Sequence, residues 1–342
     1  AAPAAFPLGD ARAWLEWRLE VERDGVALAA DDDATLKRAR HHWRPDLYAV
    51  RSPGAFLVTP IRDFRRVGRC LGYARVVVGA LRSFFPVEGN ARQPAPVTVF
   101  LYDDRESYQR HAQDLARLAD PSFLERSSGH WSLEEDILHA VWSDDRDGEA
   151  RFLGAFAREV TQQWLHGHNP RYTVSQAFQG YKSAGAWVRL GLVQLMSEGS
   201  FDPAGGEWSL FNARSECLDV VRALSESGAG LRPWPTFFLL TVSDTATLPD
   251  DEDVTMELRW PPGRFAYTPY GIFHRQAGAV SHFLYHAENG KYRARLFEYV
   301  VNQATGRSDK LSPHAAFGMS PEELGNAVEA FAKQVGGGWR PE

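Results

Sequence analysis

The chain has 342 residues, a length that fits about two domains or one large two-lobed domain. Apolar residues make up 44% and charged residues 24%, as in ordinary soluble globular proteins, and the net charge of -6 gives no overall attraction to nucleic acid. No apolar run approaches the roughly 18 residues that a membrane span needs, so we expect neither a membrane-spanning protein nor a nucleic-acid-binding one.

The N-terminus and the two cysteines bear on the compartment. The first residues, Ala1-Ala-Pro-Ala-Ala-Phe6, favour a mature end left by signal-peptide cleavage and thus a secreted or periplasmic protein. The alternative is a trimmed chain from the cytoplasm. Cys70 and Cys217 are too few for a disulfide framework or a zinc-thiolate cluster. A single bridge and two buried thiols both remain open.

Residues 1–45 predict an N-terminal helical segment, and residues 46–150 predict an α/β lobe with a small mixed sheet. Turn residues and the spacing of apolar residues give the elements. They are helices within residues 8–43, an extended segment over Tyr48–Pro60, a long helix from Ile61 to Pro86, a strand over Val97–Tyr102, a helix from Asp104 to about Leu118, and strands within Gly129–Trp142.

Residues 151–342 predict a mainly helical lobe, since helical spacing dominates there. The exception is Arg232–Ala266, which is rich in proline and acidic residues and predicts a loop. The last helix is well marked, because Ser320 and Glu323 form a capping box around Pro321. Its apolar face comprises Leu324, Val328, Phe331 and Val335.

The segment Phe156-Ala-Arg-Glu-Val-Thr-Gln-Gln-Trp-Leu-His166 carries the strongest functional signal. A zinc-protease helix reads His-Glu-x-x-His, with two imidazoles binding the metal on one face and the glutamate acting as general base. Here Arg158 and Gln162 occupy the ligand positions, while Glu159 keeps the carboxylate of the base. The simplest structural interpretation is a surface helix with Arg158 and Gln162 facing solvent. Its buried stripe would comprise Leu153, Phe156, Val160 and Trp164.

A second segment, Ala186-Trp-Val-Arg-Leu-Gly-Leu192, favours a functional interpretation over a plain surface helix. The chain resembles the gluzincin (peptidase MA-like) metallopeptidases, specifically a bacterial branch, over roughly residues 45–335. Members typically carry a second helix reading Trp-hydrophobic-x-Glu-Gly-Leu, whose glutamate is the third zinc ligand. Trp187, Gly191 and Leu192 match this motif, but Leu190 stands in the ligand position. The later segment Tyr270–Tyr285 is similar to the family's closing helical region.

The resemblance implies a two-lobed α+β gluzincin-like fold whose peptidase centre is inactive. Arginine cannot donate a lone pair, leucine has nothing to coordinate and a glutamine amide is a poor zinc ligand, so we expect neither zinc nor another cofactor. Glu159 then remains as a vestigial base, hydrogen-bonded to Arg158 and Gln162 at the floor of a cleft. We expect that cleft to bind a peptide, protein or other extended ligand. The candidate binding residues are Arg158, Glu159, Gln162, His166 and Leu190.

Two other functions remain as alternatives. The first is an active metallopeptidase or other metal-dependent hydrolase with relocated ligands, drawn from His166, His168, His282 and His286. A related variant uses Glu198, in Ser197-Glu-Gly199, as third ligand in a shifted register. The second alternative is a structural or assembly protein whose cleft is filled by side chains such as Leu190. No nucleophile elbow and no phosphate-binding loop occurs in the sequence.

Overall fold

The structure is a computed structural model, and it describes residues 27–31, 33–52, 55–84, 96–116, 128–132, 135–142, 146–167, 185–202, 207–210, 215–228, 230–241, 244, 253–259, 262–304 and 312–336. The chain divides into two compact units. The first comprises Ala1–Ser83 and Val87–Gly167, and the second comprises Phe84–Pro86 and His168–Glu342. The class is α+β, as the sequence predicts, with a mixed six-stranded sheet and helices.

The first unit is built on a six-stranded sheet with the order β1-β2-β3-β4-β6-β5. Its strands are β1 (Ala27–Leu28), β2 (Tyr48–Ser52), β3 (Ala55–Thr59), β4 (Val97–Tyr102), β5 (Gly129–Ser132) and β6 (Ile137–Val141). The central pairs β3/β4 and β4/β6 are parallel, whereas β1/β2, β2/β3 and β5/β6 are antiparallel. Every residue of β3 and β6 is buried, as expected for strands that are covered on both faces.

In the described part of the first unit, four helices accompany this sheet: α1 (Ala34–His42), α2 (Phe64–Phe84), α3 (Arg105–Ala116) and α4 (Arg146–Gly167). The expected long helix after Ile61 is α2, and it makes the crossover that the parallel β3/β4 pair requires. The expected strand at Val97–Tyr102 is β4. Asp104 caps α3 as predicted, because its Oδ1 accepts a hydrogen bond of 2.6 Å from the Ser107 amide. The helix expected within residues 8–26 lies outside the described residues.

The second unit contains seven helices and two hairpins in its described part. The helices are α5 (Ala186–Ser197), α6 (Glu216–Ser227), α7 (Trp234–Leu239), α8 (Pro269–Gly290), α9 (Arg293–Ala304), α10 (Pro313–Phe317) and α11 (Pro321–Gly336). The hairpins are β7 (Ser200–Asp202) with β8 (Glu207–Ser209), and β9 (Val254–Arg259) with β10 (Pro262–Tyr267). Helix α8 is central, since it packs on α5, α6, α9 and α11 and is buried from Gln276 to Ala287.

The capping box of the last helix is confirmed. The Ser320 amide donates to Glu323 Oε2 at 2.7 Å, and the Glu323 amide donates to Ser320 Oγ at 3.2 Å. The predicted apolar face of α11 is buried throughout, at Leu324, Val328, Phe331 and Val335.

The expected loop at Arg232–Ala266 is wrong for the described part of that segment. It contains α7 and most of the β9/β10 hairpin. Buried Met256 and Leu258 alternate with exposed neighbours along β9 and pack against Val220 and Leu224 of α6. Proline and acidic residues dominate the composition of the segment, and they masked this alternation, which is the sequence signature of a half-buried strand.

Helix α4 groups with the sheet of the first unit, because it packs on β4, β5 and β6. The composition of the sequence predicts a division at residue 150, whereas in the structure the division falls after Gly167. Cys70 and Cys217 are both free and buried, and burial raises the pKa of each thiol. None of the helices that the structure describes is long and apolar enough to cross a membrane.

Candidate functional site

Helix α4 carries Glu159 and is fixed to the β5/β6 hairpin. Phe152, Phe156, Val160 and Trp164 form its buried stripe at four-residue spacing, while Leu153, which helical spacing predicted in the stripe, is only half-buried. The Gln163 side chain also donates a hydrogen bond to the carbonyl of Asp136, in the turn between β5 and β6. The helix thus presents its residues to the sheet in one defined orientation.

Glu159 is buried, at 5% exposure, and three donors hold its carboxylate. Arg158 Nε donates to Oε1 at 2.6 Å, and Gln162 Nε2 donates to Oε2 at 3.1 Å. The backbone amide of Trp131 in β5 donates to the same Oε2 at 3.2 Å. The hydrogen bonding expected from the sequence between Glu159, Arg158 and Gln162 is therefore present, and the sheet supplies a third donor that was not expected.

Arg158 and Gln162 are half-buried, so the interpretation of α4 as a helix with both side chains turned to solvent is too simple. The guanidinium group forms an ion pair with Glu159. A buried carboxylate needs such compensation, because burying an unpaired charge costs several kcal/mol, of order 3–5 when one partner of a buried pair is removed. Arg158 and Gln162 thus provide hydrogen bonds that solvent would otherwise give to the carboxylate of Glu159.

This donor set does not fit zinc. A zinc site needs lone pairs from imidazole, thiolate or carboxylate at about 2.0–2.3 Å, and a guanidinium group offers none. Gln162 directs its amide NH2 group to Glu159, and both carboxylate oxygens of Glu159 already accept hydrogen bonds. Three residues of α4 are joined by these bonds, and we call them the Glu159 triad: Arg158, Glu159 and Gln162.

Leu190, in the position of the third zinc ligand, lies on α5 and is half-buried. The next residue, Gly191, sits where α5 touches α8: a Cβ placed there would lie 2.4 Å from the Ala277 carbonyl oxygen. The match of Gly191 to the family motif thus has a packing explanation in this chain. Leu190 and the Glu159 triad belong to different units.

Of the four histidines considered as relocated ligands, the structure describes the side chains of two. His282 and His286 lie one turn apart on α8, with ring centroids 5.8 Å apart. His282 Nε2 donates to Glu198 Oε2 at 2.9 Å, and His286 Nε2 donates to the Leu210 carbonyl at 3.1 Å. The Nε2 atom of each ring is therefore engaged and not available to a metal, whereas the two bonds do not involve Nδ1. His168 and the side chain of His166 lie outside the described residues.

Glu198, the shifted-register candidate, is tied into the second unit. Besides the bond from His282, its Oε1 accepts from the Cys217 amide at 2.9 Å, and its Oε2 accepts from Ser215 Oγ. Burial opposes the charge of Glu198, but the hydrogen bond and charge of His282, with Arg275 and Ser215, lower its pKa to about 2. Within the described residues, no three His, Cys, Asp or Glu side chains are arranged to hold a metal ion.

A group of buried histidines in the first unit was not expected from the sequence. His130 and His139 are cross-strand partners in β5 and β6, and His111 lies on α3. The strand pattern at Gly129–Trp142 was visible in the sequence, and it would have placed His130 and His139 in neighbouring strands. The approach of His111, from a helix 19 residues before His130, depends on tertiary packing.

Searches against models of known protein families and against curated proteins gave no match.

Proposed function

We propose that the protein is a catalytically inactive, gluzincin-like protein that binds an extended peptide beside α4. The observation that carries this proposal is the engagement of Glu159 by three donors, two of which come from the positions of the missing zinc ligands. The resemblance supplies the comparison with the peptidases, and the chemistry of the Glu159 triad supplies the reason that hydrolysis is lost.

A general base has to take a proton from the attacking water, and in this family that water is activated by a metal. Both oxygens of Glu159 already accept hydrogen bonds, and a proton taken up by the carboxylate would remove the charge that pairs with the half-buried Arg158 guanidinium. Arg158 provides a fixed positive charge at this position, but it cannot lower the pKa of a bound water as zinc does. The triad therefore favours a stable, non-hydrolytic arrangement.

The support for an extended peptide comes from β5. This strand is the outermost on its side among the described strands, and α4 packs on it. The Val141 amide bonds to the Ser128 carbonyl, so alternation along the antiparallel ladder directs the Trp131 amide away from β6 and towards Glu159. A peptide that pairs with this edge would have to accept from the Trp131 amide in place of Glu159. Pairing of a peptide with a strand edge uses main-chain hydrogen bonds and needs no metal.

Restoring the two histidines of the helix motif should give α4 a zinc-binding face. We expect the purified protein, dialysed against zinc, to contain almost none, and the double variant Arg158→His, Gln162→His to retain zinc through two imidazoles one helical turn apart. The measurement is elemental mass spectrometry on protein prepared without chelator. The matched control, Arg158→Asn, Gln162→Asn, changes the same two positions without adding zinc ligands and should stay metal-free.

Two results would contradict the proposal in different ways. Stoichiometric zinc in the unaltered protein would show that the chain has a metal centre elsewhere, and the inactive assignment would be wrong. A folded double variant without zinc would show that α4 does not present these two positions as the family's zinc-binding helix does, and the family comparison would then fail.

A ligand that pairs with β5 should be sensitive to the methylation of alternate amides. We expect a peptide selected from a random phage-displayed library on the immobilised protein to lose about tenfold or more in affinity when one alternate set of its amides is N-methylated. Methylation of the other set should leave the affinity nearly unchanged, because those amides face away from the strand. Equal losses in both sets, or failure to select any peptide, would contradict strand pairing.

A further inference from the structure

The face of the first unit under α1 and α3 buries a group of titratable rings, which we call the histidine cluster. It lies next to the apolar core that α1 and α3 form with β4 and β6. The three histidines are buried, with exposures of 5%, 6% and 1% for His111, His130 and His139. The cluster comprises Tyr102, Tyr108, His111, His130 and His139.

The rings are in direct contact. His130 and His139 stack with ring centroids 4.9 Å apart and planes 8° apart, and His111 meets His139 edge-on at 5.8 Å. Trp43, just after α1, stacks on His111 at 5.1 Å and 13°. The cluster therefore joins three strands, one helix and the end of another, and a change of charge at one ring alters the electrostatic environment of all five elements.

A chain of hydrogen bonds connects Glu135 to His111. Glu135 accepts from His139 Nε2 at 3.3 Å, His139 Nδ1 lies 2.8 Å from the Tyr102 hydroxyl, and that hydroxyl also bonds to His111 Nδ1. With both rings neutral, Tyr102 donates to His139 and accepts from His111, which leaves a lone pair on His111 Nε2. A proton taken up there can be passed along the chain to His139, beside Glu135, without loss of any bond.

A second proton taken up by the cluster has no further carboxylate beside it within the residues that the structure describes. Besides the histidines themselves, the charged and titratable groups described around the cluster are Glu135, the phenols of the cluster, His42 of α1, and Arg38 of α1, which acts on Glu135. Glu135 is the one carboxylate among these described groups, and it can neutralise a single imidazolium. His130 bonds to the Tyr108 hydroxyl at 2.9 Å, which offers no charge. The Nε2 atoms of His111 and His130 are buried without a hydrogen-bond partner in the described part of the chain.

The lowered pKa values of His111 and His130 agree with this geometry. Burial, with the neighbouring His139 next in importance, lowers the pKa of His111 to about 4 and that of His130 to about 3. An opened state would bind these protons near the ordinary pKa of about 6.5. Because the opened state binds more protons, acid favours it, and the closed cluster loses stability progressively as the pH falls below about 6.5.

We propose that the histidine cluster is an acid-sensitive latch, which holds α3 and Trp43 on the sheet at neutral pH and releases them when a second imidazolium has to form. This inference does not depend on the proposed peptide binding. Opening would expose the face of β4, β5 and β6 that carries the histidines, while the second unit remains folded.

The test follows the full-length protein from pH 7.5 to pH 4 by hydrogen exchange, corrected for the intrinsic pH dependence of the exchange rate. The readout has to be local, because burial also lowers the pKa of His286 in the second unit, to about 3. We expect segments of α3, β5 and β6 to lose protection at a higher pH than α8. In the double variant His111→Gln, His130→Gln this transition should shift by about one pH unit or more towards acid. The control His314→Gln, at an exposed position on α10, should not shift it.

Loss of protection at the same pH in both units would overturn the latch, as would an unchanged midpoint in the double variant. If that variant does not fold at pH 7.5, histidine NMR of the unaltered protein decides. Resonances of His111 and His130 that titrate smoothly near pH 6.5, with protection intact, would refute the proposal. Resonances that stay neutral until the segments open would support it.

Discussion

Replacing Gly191 with alanine is expected to destabilise the second unit by about 3 kcal/mol. A Cβ at this position would lie 2.3 Å from Ser281 Oγ, 2.4 Å from the Ala277 carbonyl oxygen and 3.0 Å from its carbon. The serine side chain can rotate away, but the backbone of α8 can yield only if the two helices separate. That cost exceeds the gain of roughly 0.5–1 kcal/mol that alanine normally brings to a helix interior.

The measurement is urea unfolding followed by far-UV circular dichroism, with Gly79→Ala as matched control. Gly79 is an exposed residue of α2, and a Cβ there would have nothing within 4 Å. The control should therefore gain about 0.5–1 kcal/mol from the reduced freedom of the unfolded chain. A Gly191→Ala protein as stable as the unaltered one would show that α5 and α8 do not pack this closely.

This packing bears on the family comparison. If Gly191 is required by the α5/α8 contact, selection for stability preserves it whether or not the neighbouring position carries a zinc ligand. The match of Gly191 to the motif is thus explained by packing and carries no information on the half-buried residue beside it, Leu190. Shape and catalysis can separate in this way, and the fold by itself does not fix the function.

Elements defined by local rules could be predicted from the sequence. The capping box of Ser320 and Glu323 involves residues three positions apart, and the burial of Leu324, Val328 and Phe331 follows from helical spacing. Helix α2 and strand β4 were predicted for the same reason. In the site, the bonds from Arg158 and Gln162 to Glu159 were predictable because all three residues lie within one turn of α4.

Contacts between distant segments could not be predicted. The third donor to Glu159 is the amide of Trp131, 28 residues earlier, and its direction depends on the pairing register of β5 with β6. The histidine cluster combines residues from β4, α3, β5 and β6, and nothing in the local pattern indicates that they meet. The β9/β10 hairpin was missed because its alternation is short and lies in an acidic, proline-rich segment.

Replacing Glu198 with alanine is expected to cost about 3–5 kcal/mol, the usual result of removing one partner of a buried ion pair. The carboxylate accepts from His282, the Cys217 amide and Ser215, and all three donors would lose their acceptor together. The stability that the carboxylate contributes depends on pH, because the pKa of Glu198 in the folded protein is about 2. Since the folded state lowers this pKa, the carboxylate contributes about 3 kcal/mol above pH 4.5 or so, and this contribution is lost as the pH falls towards 2.

Thermal unfolding between pH 7 and pH 3 provides the measurement, and Glu288→Gln provides the control. Glu288 is exposed on α8, so its replacement should change the melting temperature little. The Glu198→Ala protein should melt well below the unaltered protein at pH 7, and the difference should narrow as the pH approaches 3. A variant with unchanged stability, or one whose loss of stability appears only in the presence of zinc, would mean that Glu198 is not primarily a structural anchor. If the Glu198→Ala protein melts well below the unaltered protein at pH 7, the carboxylate of Glu198 is held by three internal donors for stability. The shifted-register metal site then has no third ligand.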